Sequence, residues 1–284
     1  MSEILKKMSE TARANSLCVY SICEIKDGRS ETVNIVPSSN CHNCYSVAKV
    51  FAVTAIGMLE DRGLLHTDDL VYPLFRDQFP ENFDPRWKKV TIAHAMTHTI
   101  GLGIGGMLDI DCQYAPDYPS DDYLSILFGT PLEHEPGTTF VYTDAAFYLV
   151  SRVVTAVCGE KLDDFLAGEL LVPLRFREFA FSKCPKGYPI GATGLYIATE
   201  DMAKLGLLYL RSGELNGRRY LSERFVRKTL GRFELKASCG GYSKGGMNGQ
   251  LLHLNPSTDR VIAIHSHQGQ PDRLMKVLED ENML

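Results

Sequence analysis

The chain opens with charged and apolar residues at helical spacing over residues 2–13, and then changes period. From Leu17 to Ile25 a β-rich run alternates, Lys26-Asp27-Gly28-Arg29 has the composition of a hairpin turn, and Glu31 to Val36 reads as the returning strand. The next run is of another kind. Val47 to Leu59 is apolar on nearly every side, through Val50, Phe51, Val53, Ile56 and Met58, and a helix of that composition predicts a central, buried position. Glu60-Asp61-Arg62 and Gly63 mark its end.

Helices are predicted next over Thr91 to His98, Tyr123 to Phe128, Asp144 to Val157 and Leu162 to Leu171. Between them lie an irregular stretch with Pro73, Pro80 and Pro85, and a long polar loop over 101–122 of the kind that covers a site. Gly191 to Tyr196 reads as a bend, Thr199-Glu200-Asp201 as an acidic cap on a helix from Met202 to Arg211, and Leu221 to Leu230 as a further helix. Gln250 to Leu254 and Arg260 to His265 are paired strands about Asn255-Pro256, and Arg273 to Leu278 is a last helix. Strands at both ends with helices between them predict an α/β (α+β) fold, an antiparallel sheet flanked by terminal helices. The sheet domain is expected from residues 1–65 and 190–284, a mainly helical domain from 66–189, and the active site at their junction.

Composition narrows the function more than it names it. A net charge of −5 with no basic run excludes a nucleic-acid surface, and no apolar stretch is long enough to cross a bilayer. Residues 1–10 lack the apolar core of a signal peptide, so the cytoplasm is the expected compartment. The eight cysteines are scattered, several within apolar runs, and read as buried free thiols. Cys41-His42-Asn43-Cys44 has no second ligand pair at a zinc spacing. His94 and His98, four apart on the predicted helix, lack the glutamate of a metalloprotease motif and read as packing residues. No metal and no cofactor is expected, and the partner is a small-molecule or peptide substrate.

The chemistry starts at Ser46, at the mouth of the central helix, where free N–H groups favour negative charge on an oxygen nucleophile. Lys49 is three residues on, one turn away. Burial at the edge of so apolar a helix should lower its pKa from about 10.4 and let it act as a neutral base. Ser-x-x-Lys is thus a way to activate serine without histidine. Tyr142, two residues before Asp144, could take up a proton. Lys244-Gly245-Gly246 would open an edge strand along which a substrate backbone can lie, with Lys244 supplying positive charge. A competing pattern is Gly241-Tyr242-Ser243-Lys244-Gly245, formally a nucleophile elbow with His253, His265 or His267 after it. The elbow needs a strand before it and a helix after it, whereas a β-rich run follows here.

Taken together, Ser46-x-x-Lys49, Tyr142-x-Asp144 and Lys244-Gly245-Gly246 resemble the three motifs of the class C β-lactamase and low-molecular-weight penicillin-binding protein family. The likeness extends to Gly63 through Asp69, Val90 through Leu102, Glu135 through Tyr142, Gly194 through Leu205 and Gly245 through Gln250, and covers most of 44–267. It implies the β-lactamase/transpeptidase-like fold, with Ser46 as nucleophile, Lys49 and Tyr142 sharing the acid and base work, and Lys244 on the substrate-binding strand with Gly245 and Gly246. The N–H groups of Ser46 and Met247 would form the oxyanion hole. The reaction implied is acyl transfer through a Ser46 acyl-enzyme on an ester, amide or D-amino-acid peptide, and the alternative is a non-catalytic penicillin-binding-like module that binds ligand. Two positions depart from the family: Asp144 stands where Asn is common, and Gly245 replaces the hydroxyl residue of Lys-Thr-Gly. The extra carboxylate of Asp144 is expected to favour a cationic group on the substrate.

Overall fold

The computed structural model describes residues 1–103, 118–267 and 271–282. The core of the predicted 101–122 loop, residues 104–117, lies outside the described residues, as does Cys112. The chain packs as two units: residues 1–47, 172–180 and 195–284 form one, and residues 48–171 and 181–194 the other.

The first unit is built on a six-stranded antiparallel sheet in the order Arg29–Asn34, Val19–Lys26, Arg260–Ser266, Gln250–Asn255, Gly241–Gly246, Lys236–Ser238. Its first hairpin turns through Asp27 and Gly28, both with positive φ, as a tight turn between right-twisted strands requires. The two central strands, Gln250–Asn255 and Arg260–Ser266, are buried at every position. One face is covered by the terminal helices Glu3–Ala14 and Pro271–Asn282, whose Ile4, Leu5, Met8, Ala12, Leu274 and Leu278 close over Val19, Ile22, Leu251, Ile262 and Ile264. Ser2 caps the first of these helices by accepting from the Leu5 N–H at 3.1 Å. On the other face the helix Thr199–Leu210 comes close enough that a Cβ on Gly206 would meet Val261 at 2.6 Å.

A second, three-stranded sheet has Leu195–Ala198 between Cys41–Asn43 and Phe179–Phe181. It replaces the bend expected at 191–196 in part, and Cys41-His42-Asn43 is one of its strands, with the His42 ring stacked on Tyr20 at 4.1 Å. The thiols are less uniform than expected. Cys23, Cys44 and Cys184 are buried, while Cys18, Cys41, Cys158 and Cys239 are half-buried.

The second unit is organised around the helix Ala48–Asp61, buried from Ala48 to Glu60 as its all-round apolar pattern predicts. It packs against the helices Asp144–Cys158 and Leu162–Leu166 of the same unit. Residues 48–65, assigned from sequence to the sheet domain, therefore lie with the helices, because the apolar surface they must bury is supplied there. The helix predicted over Thr91 to His98 is Ile92–Met96, which ends before His98; His98 has φ 56°, so His94 and His98 do not share a helical face. His94 instead closes a capping box, its Nδ1 accepting from the Thr91 N–H.

Candidate active site

Lys49 stands in the first turn of the central helix and is wholly excluded from solvent. Its ammonium donates to Asp144 Oδ1 at 2.7 Å and to the Ala192 carbonyl at 3.0 Å, and lies 4.8 Å from the centre of the Tyr142 ring. Each partner has a local cause. Asp144 begins its helix behind the Thr143 cap, where the helix dipole favours a carboxylate. Ala192 is brought in by Gly191, at φ 73°, where a Cβ would meet the Phe147 carbonyl at 2.7 Å; Ser151 Oγ donates to the Pro189 carbonyl at 2.7 Å and fixes the same loop.

This arrangement reverses the charge expected for Lys49. Burial alone opposes the ammonium, but the Asp144 carboxylate and a hydrogen bond with Tyr142 more than offset it, and the amine is held above its ordinary range. The reading of Lys49 as a desolvated, neutral amine is thereby corrected. Asp144 is corrected with it: the carboxylate is 9% exposed and turned onto Lys49, so its charge is already matched rather than offered to a cationic substrate.

Tyr142 is half exposed, and its ring stacks on His98 with centroids 4.3 Å apart. The His98 carbonyl accepts from the Val141 N–H at 2.9 Å and His98 Nδ1 from the Thr143 N–H at 3.3 Å, so one histidine holds the backbone on both sides of Tyr142. Sequence reasoning gave His98 only a packing role. Its signal was the Thr97-His98-Thr99 run just past a helix end, too short to interpret without coordinates.

In the first unit, Ser46 lies in the 3-10 turn Tyr45–Val47, immediately ahead of the central helix. Tyr45 has φ 46° and its N–H donates to Asn43 Oδ1 at 2.8 Å, which sets the turn. The Gly241–Gly246 strand comes directly against it: a Cβ on Gly246 would lie 2.8 Å from the Cys44 carbonyl and 3.2 Å from the Ser46 nitrogen. Only glycine lets the backbone so near. Met247, next in the chain, is half exposed and begins the turn Met247–Gly249. Gln250, which the sequence did not single out, holds that turn. Its Nε2 donates to the carbonyls of Met247 at 3.2 Å and Ser266 at 2.6 Å, while its Oε1 accepts from His265 Nδ1 at 2.7 Å.

Lys244, on the same side of the strand as Gly246 by the two-residue period, is ion-paired with Glu234. Neither is open: the side chains are 12% and 3% exposed. The edge strand pairs only as far as Ser243, opposite Lys236, so Lys244, Gly245 and Gly246 run beyond its register and pair with Gln250 to Leu252 on the other side. Gly245 has room for a side chain, the nearest atom to its Cβ position being 3.9 Å away.

The competing elbow does not form. Gly241 to Gly246 is continuous strand, and Ser243 Oγ bonds across to His253 Nδ1 at 2.8 Å as one rung of the ladder. Burial and nearby Arg260 push His253 down to about 4, and burial with neighbouring His42 pushes His265 down to about 3, against an ordinary 6.5. Both rings are therefore neutral in the fold and charge only on unfolding. Stability should be full above pH 6.5 and fall as pH drops toward 4, by about 1.4 kcal/mol per unit for each ring. Urea midpoints at pH 7.5 and 5 would measure the slope, which His265→Gln should reduce.

Among the described residues no helix is long and apolar enough to cross a membrane, and no group of three or more His, Cys, Asp or Glu could hold a metal.

A family profile described as Beta-lactamase matches residues 34–282. An Escherichia coli (strain K12) protein named "Putative D-alanyl-D-alanine carboxypeptidase" is 27% identical over 165 residues, covering 55% of this chain. That match takes in 38% of the relative, so the chain spans about two fifths of the length of the curated protein it resembles. A penicillin-binding protein homolog from Caulobacter crescentus superposes with a TM-score of 0.77 at 14% identity, over 99% of this chain and 96% of that one. EstCE1, a hydrolase with promiscuous acyltransferase activity, gives 0.73 at 15% identity, over 98% of each chain. At such identities the superpositions show a shared fold and nothing finer.

Proposed function

Given that the chain belongs to the Beta-lactamase family, with the β-lactamase/transpeptidase-like fold, we propose that it is a serine hydrolase working through a Ser46 acyl-enzyme. The observation that carries this reading is the buried Lys49, held by Asp144 and hydrogen-bonded to Tyr142, three residues after the serine.

In this mechanism the Ser46 oxygen attacks an ester or amide carbonyl while its proton passes to Lys49 in its neutral form. The N–H groups of Ser46 and Met247 receive the tetrahedral oxyanion. Tyr142 delivers a proton to the leaving group as the C–O or C–N bond breaks, leaving the acyl group on Ser46. Water, giving up its proton to the same pair, then releases the acid and restores the serine. Because Asp144 favours the ammonium, Lys49 must lose a proton before each attack, and the rate rises with pH above neutrality.

A panel of p-nitrophenyl esters, D-amino-acid amides and nitrocefin tests the reading. Turnover with an initial burst of one equivalent per chain is the expected result. No turnover of any of them, with a ligand still raising Tm, would instead indicate a module that binds without reacting.

A further inference from the structure

Glu234 is the one acid in Phe233-Glu234-Leu235, between two side chains that are completely buried. A carboxylate is placed there only when a cation meets it, and the cation is Lys244. Lys244 shares a side of its strand with Gly246, the residue whose absent side chain lets the backbone reach the Ser46 amide. The positive charge two residues from Gly246 on the same side of the strand is thus already matched by a carboxylate. Lys236, whose ammonium feels both Glu234 and Lys244, is exposed on the edge strand, where solvent screens its charge, and it donates to the Arg232 carbonyl at 2.6 Å. Gly245 adds no hydroxyl beside Lys244. Lys49 is balanced in the same way by Asp144, within its own unit.

An anionic substrate needs an ammonium whose charge is not yet matched. Here it would have to share Lys244 with a buried carboxylate that repels it, in surroundings that screen the repulsion poorly. We propose that Glu234 sets the substrate class: by matching the charge of Lys244 it makes this a site for uncharged acyl donors, neutral esters and amides, and against substrates that end in a carboxylate. The proposal rests on the Ser46 hydrolase reading. Glu234 acts through Lys244 as a positioning residue and takes no part in bond making.

The test uses two thioesters with the same acyl group, one with a leaving thiol that ends in a carboxylate and the other with the carboxamide at that point. Wild-type protein should turn over the carboxamide with a kcat/KM at least tenfold higher. In E234Q that ratio should fall at least tenfold, through a lower KM for the carboxylate substrate, whereas a residue that merely supported the fold would change both substrates alike. Preference of the wild type for the carboxylate, or an unchanged ratio in folded E234Q, overturns the proposal while leaving the hydrolase reading intact. If E234Q does not fold, the wild-type ratio decides alone. Failure of both thioesters to acylate Ser46 overturns the hydrolase reading, and this proposal with it.

Discussion

Replacing Lys49 by Met should lower kcat/KM by about 10²–10⁴, the range over which a positioned proton acceptor contributes, and should weaken the fold at the same time. The second effect follows from burial. Lys49 is inaccessible and Asp144 9% exposed, so removing the ammonium leaves a carboxylate with its main counter-charge gone; breaking such a pair costs about 3–5 kcal/mol. The Lys49→Met, Asp144→Asn double variant separates the two. It removes both charges, so urea denaturation should recover most of the lost stability, while activity stays at the level of Lys49→Met. Recovery of activity along with stability would show that Lys49 only holds the helix and loop together.

Asp144→Asn alone should do the opposite to the rate. The carboxylate, together with Tyr142, keeps the Lys49 amine above its ordinary range against the opposing effect of burial. With the amide in its place burial is opposed by Tyr142 without the carboxylate, a larger fraction of the amine is neutral at a given pH, and the rising limb of kcat/KM moves to lower pH. At pH 7 the rate should rise above that of the wild type. Stability should move the other way. A raised lysine pKa contributes stabilisation that is present through the neutral range and lost only as pH rises past the folded value, so Asp144→Asn is less stable at pH 7 than wild type. A pH–rate profile from 6 to 10 with a neutral ester measures the limb directly. An unmoved limb would mean that Lys49 stays charged throughout and that the proton leaves Ser46 by another route.

These consequences show where the sequence speaks and where it is silent. The central helix was legible because an all-round apolar run has one explanation in a folded chain, and the outer hairpin because Asp27-Gly28 admits positive φ. Ser46, Lys49, Tyr142 and Lys244 were legible as motifs in order. The charge on Lys49 was not, because it is decided by a residue 95 positions away. Nor was the pairing of Lys244, since Glu234 reaches it only after the chain has turned through the Lys236–Ser238 edge strand. Gln250 and His98 were missed for a related reason: each acts by holding backbone beside a residue proposed to take part in the chemistry. The three-stranded sheet escaped because Cys41–Asn43, Phe179–Phe181 and Leu195–Ala198 are each too short to show a period.

The most direct measurement is the intact mass of the protein after treatment with a fluorophosphonate, followed by peptide mapping of the adduct. One adduct per chain on Ser46, absent from Ser46→Ala, is the result expected of a serine activated by its lysine neighbour. An adduct that maps to Ser243 or to any other residue, or that persists in Ser46→Ala, would contradict it.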